Sequence, residues 1–262
     1  MGSFIRLAIR QMDVQFRMRV LSLWSLGLYY IQPAIFSAVG MLLSRAAGNS
    51  SPDLVYTVVG AGMMGMWSGL VFTSTYDIRT DRREGTLEII VGSPTSLRRV
   101  EGLRTLLNIL AGLSSLVVAV LAAVLIFDYS FANVNIAGTI LALLLILLGL
   151  WCMGVFLANF LAWSRVSGTV VDLMEMPMAI LCGFMFPISV LPGWLQKVSG
   201  IFPIRWALEG MRDAMNGTPL AQPLIIKLLI SLGLSIAFLL LARWFDGKVH
   251  DHIRVTGELH SI

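Results

Sequence analysis

Ile136-Ala137-Gly138-Thr139-Ile140-Leu141-Ala142-Leu143-Leu144-Leu145-Ile146-Leu147-Leu148-Gly149-Leu150-Trp151-Cys152-Met153-Gly154-Val155-Phe156-Leu157 runs without one charged side chain. A helix needs about 20 apolar residues to cross a hydrocarbon layer of roughly 30 Å, so this stretch is a span. It is not alone. Similar runs cover about Leu106–Phe127, Leu54–Ser74 and Leu23–Leu43 before it, and about Thr169–Met185 and Leu224–Trp244 after it. Of the 262 residues, 57% are hydrophobic and 13% are charged. A soluble domain carries about a quarter charged residues. The deficit leaves too little polar surface for a water-soluble globule, and lipid is the solvent of most of the chain.

The expected fold is therefore all-α and integral to the membrane, with six transmembrane helices in one domain over residues 1–262. Residues 1–22 read as an interfacial helix. Arg6, Arg10, Asp13 and Arg17 recur at helical spacing, and Ile5, Ile9, Met12, Phe16 and Val20 keep the same spacing one residue out of step. Such a two-faced helix suits the bilayer surface. Residues 23–244 hold the six spans, and 245–262 form a polar tail. Gly60, Gly62, Gly65 and Gly69 give the second span a small-residue series that lets another helix approach closely. Pro177 interrupts the fifth span. Between spans five and six, Ile188–Pro223 is moderately apolar and broken by Pro192, Pro203 and Pro219. It reads as short helices dipping back into the membrane under cover of protein.

Basic residues orient the chain. Arg6, Arg10, Arg17, Arg19, Arg79, Arg82, Arg83, Arg98, Arg99, Arg104, Arg165, Arg243, Lys248 and Arg254 fall on one side; Arg45, Lys197, Arg205, Arg212 and Lys227 fall on the other. Both termini are expected in the cytoplasm of a cell whose inner or plasma membrane the chain crosses. Because these basic residues lie in short loops beside spans, nucleic acid is excluded as a partner and membrane lipid is implied.

The cytoplasmic segment between spans two and three carries the strongest functional signal. Asp81 with Glu84 reads as a capping box opening a helix of about three turns. Leu87, Ile90 and Val91 form its apolar face, Gly92 stops it, and Ser93-Pro94 starts the next. Arg83-Glu84-Gly85-Thr86-Leu87-Glu88, with Pro94 downstream, resembles the cytoplasmic loop of ABC-2 type ABC transporter permeases. Gly183-Phe184-Met185-Phe186-Pro187, Leu191-Pro192-Gly193-Trp194-Leu195, Phe202-Pro203, Glu209-Gly210 and Arg212 are similar to that family's pattern after span five.

The resemblance implies an export subunit. Arg83, Glu84, Gly85, Thr86, Leu87, Glu88 and Pro94 would form a coupling helix touching two copies of a separate ABC ATP-binding subunit. ATP and magnesium would reside there, with no cofactor in this chain. The permease would pair with a second copy or a homologous chain. Phe186, Pro187, Pro192, Trp194, Pro203, Glu209 and Arg212 would form an outer gate at the re-entrant hairpin, and Met63, Trp67 and Phe184 would stand along a substrate path. In agreement, the chain lacks the G-x-x-x-x-G-K-[ST] phosphate loop.

Other readings are weaker. An ion-gradient-driven carrier or channel requires ionisable groups near mid-membrane, and the spans hold almost none. An intramembrane enzyme requires metal ligands or a nucleophile with a base, and no histidine lies in a span. No metal site is expected: His250-Asp251-His252 belongs to the solvated tail, and Cys152 and Cys182 read as small hydrophobes at helix interfaces. Asp172 and Glu175 open span five at helical spacing. They read as an interfacial pair near Arg165, with a part in coupling or in a cation path as the alternative. Arg205, Glu209 and Arg212 read as one helical face of alternating charge.

Overall fold

The computed structural model describes residues 27–46, 54–83, 97–127, 134–163, 173, 175–184 and 187–256. Among them every regular element is a helix. A π turn, Gly27–Ile31, leads into α1 (Gln32–Ala46); α2 (Leu54–Arg83), α3 (Leu97–Phe127) and α4 (Ile136–Trp163) come next. Then come α5 (Glu175–Leu181), a 3-10 turn Ile188–Val190, α6 (Gly193–Ser199), α7 (Pro203–Met215) and α8 (Gln222–Thr256). The interfacial helix of residues 1–22 lies outside the described residues.

Three helices are long and apolar enough to cross a membrane, along Gly102–Leu125, Ile136–Phe160 and Gln222–Phe245; α2 adds a shorter apolar stretch, Val55–Val71. Their surfaces show what surrounds them. Leu125 of α3, Ile136 of α4 and Leu229 of α8 are 76%, 70% and 60% exposed, and Ile31, Ile35, Val39 and Leu42 lie exposed along α1 and the turn before it. In water, apolar faces repeated on every long helix are an aggregation hazard. In lipid they are the proper solvent contact.

α2 is the central helix. Residues 58–71 are all buried, as expected of a helix apolar on every side. It packs along α3 and also touches α1, α4, α5 and α7, while α8 packs along α4. The glycines of α2 meet different neighbours. A Cβ on Gly62 would fall 2.6 Å from Leu116 Cδ1 of α3, and one on Gly65 would fall 2.6 Å from Pro33 Cγ of α1. Polar side chains add ties between helices: Ser115 Oγ donates to Gly62 O at 2.8 Å, Trp151 Nε1 to Gly102 O at 2.9 Å, and Asn159 Nδ2 to Ala242 O at 3.0 Å. In lipid, small residues and such hydrogen bonds replace the hydrophobic effect as the source of helix association. Cys152 and Cys182 are free and buried, in the packing role the sequence suggested.

Four boundaries differ from the sequence reading. α2 continues to Arg83, so Asp81 lies in its last turn and does not open a new helix; nothing from Thr73 to Arg83 breaks the helix, since neither glycine nor proline occurs there. α8 continues to Thr256, well into the expected tail. Pro177 does not interrupt α5: Leu173 before it is already helical, and the helix continues through Pro177 to Leu181. α5 also stops short of the Phe-Pro pair, at Leu181, because Gly183 takes φ 74°. The Gly183 amide donates to Ile180 O at 3.0 Å and that of Phe184 to Ala179 O at 2.9 Å. This is a Schellman stop, which only glycine accepts without strain.

The prolines of 188–223 divide it as expected. Pro187 precedes the 3-10 turn, Pro192 is the N-cap of α6, and Pro203 opens α7. α7 buries Ile204, Ala207, Leu208 and Met211 and packs against α4 and α8. Its C-terminal end is pinned by Asn135, whose backbone N–H donates to Ala214 O at 2.9 Å and whose Nδ2 donates to Thr218 O at 2.9 Å. Asn135 Oδ1 meanwhile accepts from Gly138 N at 3.1 Å, capping α4.

Candidate functional site

The Schellman stop at Gly183 leaves peptide carbonyls facing α2 and α7. Arg212, on α7 and 6% exposed, occupies that space. Its Nη1 donates to Gly183 O at 2.9 Å, and its Nη2 donates to Phe184 O at 3.3 Å and Tyr56 O at 3.4 Å. Its Cζ stands 3.3 Å from the centroid of the Tyr56 ring. The Tyr56 hydroxyl donates to the same Gly183 oxygen at 2.8 Å. One guanidinium thus joins the first turns of α2, the end of α5 and the last turns of α7. A planar fork with five N–H donors suits this task, and the aromatic face adds a cation–π contact.

Gly60 makes the approach possible. A Cβ there would stand 1.9 Å from Phe184 O and 3.3 Å from Arg212 Nη2. The knot therefore depends on Gly60, Gly183, Tyr56 and Arg212 together. The sequence reading singled out three of them, and missed Tyr56, whose only local signal is a lone phenol in the first turn of an apolar span.

Arg205 and Glu209 do share a face, with Arg205 Nε 3.2 Å from Glu209 Oε1. Arg212 departs from the expected alternating face, because the carbonyls freed at Gly183 draw it inward. Lys227 of α8 takes the position beside the acids, 2.6 Å from Asp213 Oδ2 and 3.8 Å from Glu209 Oε2. Arg205 Nη1 also donates to Gln196 O at 3.0 Å, linking α7 to α6.

The remaining expected site residues are scattered over the molecule. Met63, Trp67 and Phe184 are 0%, 3% and 1% exposed and belong to the packed core. Trp194 is 67% exposed, and Pro187 and Pro192 are exposed, whereas Pro203 is buried. Arg83 is the last residue of α2. Glu84, Gly85, Thr86, Leu87, Glu88, Pro94 and Phe186 lie outside the described residues, as do Asp172 and Arg165. Glu175 lies on α5, with its carboxylate bonded to the hydroxyl of Ser68.

Several membrane-spanning helices, a buried central helix and a cap of short helices locked to it by one arginine define a multi-pass helical membrane protein. Residues 41–244 match the family described as ABC-2 family transporter protein. The match covers most of the chain, which belongs to that family: it is the membrane subunit of a transporter. No curated protein matches it.

Proposed function

We propose that this chain is the permease subunit of an ATP-driven exporter. It forms a single domain with six spans, both termini in the cytoplasm of the inner or plasma membrane, and works as a pair with a second copy or a homologous chain. The fifth and first spans are those of α5 and α1, and the α6–α7 cap lies on the outer side. ABC-2 permeases normally work with separate ABC ATP-binding subunits, and two copies, carrying ATP and magnesium, dock on Arg83, Glu84, Gly85, Thr86, Leu87, Glu88 and Pro94.

The observation that carries this reading is the length of α2. Its 30 residues run unbroken from Leu54 to Arg83, about 45 Å at 1.5 Å per residue. One end holds the Arg212 knot, and the other enters the segment that resembles a coupling helix. A displacement of Glu84 by a closing ATPase pair would be carried by α2 to Tyr56 and from there to the turn at Gly183 and to α7. In this reading Phe186, Pro187, Pro192, Trp194, Pro203, Glu209 and Arg212 form the outer gate, and Met63, Trp67 and Phe184 are packing that reaches the path only when that gate moves.

The test is purification from the native membrane in mild detergent, with mass spectrometry of what accompanies the chain. A stoichiometric ATP-binding subunit is expected. Glu84→Lys should remove that subunit and abolish transport while insertion into the membrane is unchanged. Normal export by the variant would overturn the docking assignment. Recovery of the chain alone, both in detergent and after cross-linking in the membrane, would turn the reading to a gradient-driven carrier.

A further inference from the structure

Away from the knot, three helices meet at one polar chain. Gln32 Nε2 of α1 donates to Ser68 Oγ of α2 at 3.3 Å, and Ser68 Oγ donates to Glu175 Oε1 of α5. Ser68 is fully buried. It stands about four turns, or roughly 21 Å, along α2 from Leu54, well inside a hydrocarbon layer of about 30 Å. Gln32 lies equally far from Ala46 along α1, and the tight approach of Pro33 to Gly65 holds α1 against α2 at this level.

The donor order matters. Gln32 occupies a lone pair of Ser68, so the Ser68 proton is committed to the carboxylate and fixes its position. A carboxylate has room for about four hydrogen bonds. Among the described residues Glu175 receives this one, from a neutral hydroxyl, while the cations Arg205 and Lys227 pair with acids of the α7 cap. Around it the chain is apolar and open: Leu173, two residues before Glu175, is 69% exposed and Met176 of α5 47%. An acid at such depth ordinarily meets a compensating charge. Among the described residues the acid has an orienting hydroxyl and an apolar flank, and no ion pair joins it to a cation.

We propose that Glu175, oriented by Ser68 and Gln32, binds lipophilic organic cations that reach it from the bilayer. The positive centre meets the carboxylate, and the apolar body lies along Leu173 and Met176. The proposal deepens the exporter reading by naming a substrate class, and rests on that reading for the direction of movement alone.

The test is equilibrium binding of radiolabelled tetraphenylphosphonium to the full chain in lipid nanodiscs, without any ATP-binding subunit. Triphenylphosphine oxide, neutral and built from the same aryl groups, serves as the comparison. Wild-type chain should bind the cation saturably. Glu175→Gln, whose amide oxygen still accepts from Ser68, should weaken it by about tenfold or more, the scale of one charge contact in a low-dielectric site. Binding of the neutral compound should be the same in both. Glu175→Asp keeps the charge and should recover most of the affinity. If the glutamine variant does not fold, Ser68→Ala carries the test, with a loss of about threefold or more expected from a disoriented carboxylate. The proposal is overturned if the wild type shows no saturable cation binding, if the charge-removing variant binds equally well, if the neutral compound falls in parallel, or if Ser68→Ala is without effect. Because the assay contains no ATPase, Glu175-dependent binding by a chain that has no ATP-binding partner would sink the exporter reading and leave the site standing; a partnered chain without such binding would sink the site alone.

Discussion

Arg212 and Lys227 are both cations at the short-helix cap, and the structure uses them in opposite ways. Arg212 is buried on three backbone carbonyls and a phenol ring. Lys227 is 28% exposed beside Glu209 and Asp213. Hydrogen bonds from a charged donor contribute about 1.5–3 kcal/mol each, and a buried acceptor left unmade costs about as much. Arg212→Ala should therefore destabilise the purified chain by roughly 3 kcal/mol. Arg212→Lys should recover only part of that loss, since an ammonium cannot span carbonyls on two elements with a planar fork. Lys227→Ala should cost under about 1 kcal/mol, the ordinary value of a solvent-reached pair. Thermal unfolding midpoints in detergent rank the three, and a costlier Lys227 variant would show that the surface pairs, not the knot, hold the cap. The ion pair between Arg205 and Glu209 was legible in the sequence, because an i,i+4 pair is a local fact. The capture of Arg212 was not. It depends on carbonyls freed by a left-handed glycine on another element, and no spacing within α7 encodes that.

At the scale of elements, the glycine series of α2 was legible as a promise of close approach, and the proline series of 188–223 as a set of short helices. The partner of each glycine was not legible, because that depends on how the neighbouring helices are arranged around α2. The structure makes the distinction testable. An alanine Cβ at Gly62 would stand 2.6 Å from Leu116 Cδ1 and 2.8 Å from Leu116 Cα, so part of the obstruction is backbone. Gly62→Ala should part α2 from α3 and cost about 1–3 kcal/mol, the usual range for overpacking. Gly102→Ala, on α3, would meet Trp151 Cζ2 at 3.8 Å, an ordinary contact. It should be neutral, or stabilising by up to about 1 kcal/mol through helix propensity. Thermal midpoints of the two variants should move in opposite directions or differ by the full cost of Gly62→Ala; equal losses would mean that glycine serves α3 for a reason other than packing. Span ends were less legible than span centres. Apolar length sets a centre, whereas an end is set by the residues beyond it: α2 and α8 run on through polar residues that do not break a helix, and α5 stops early on one glycine.

For the whole molecule, the exporter reading makes α2 a rod with two differently tasked ends, and that predicts a separation of defects. Glu84 follows in sequence Arg83, the last described residue of the rod, and Arg212 acts at the other end, a helix length of about 45 Å away. A variant at the first end should lose the ATPase and everything downstream of it. Arg212→Gln should leave docking intact, because Arg212 meets α2 at Tyr56, at the opposite end from Arg83, and α2 is continuous between them. What the glutamine loses is the charged fork that ties Tyr56 to Gly183 and Phe184, so movement of α2 no longer drives the end of α5 and α7 together. In vesicles holding the chain with its ATP-binding subunits, hydrolysis should stay within about twofold of wild type while transport falls by about tenfold or more, the scale of one lost charged interaction. Parallel assays of phosphate release and substrate accumulation on the same vesicles measure both. If hydrolysis and transport fall together, the knot is needed to assemble the working complex and α2 does not act as a lever. If neither falls, the outer cap moves independently of Arg212, and the force from the coupling segment reaches the path through the contacts of α2 with α3 instead.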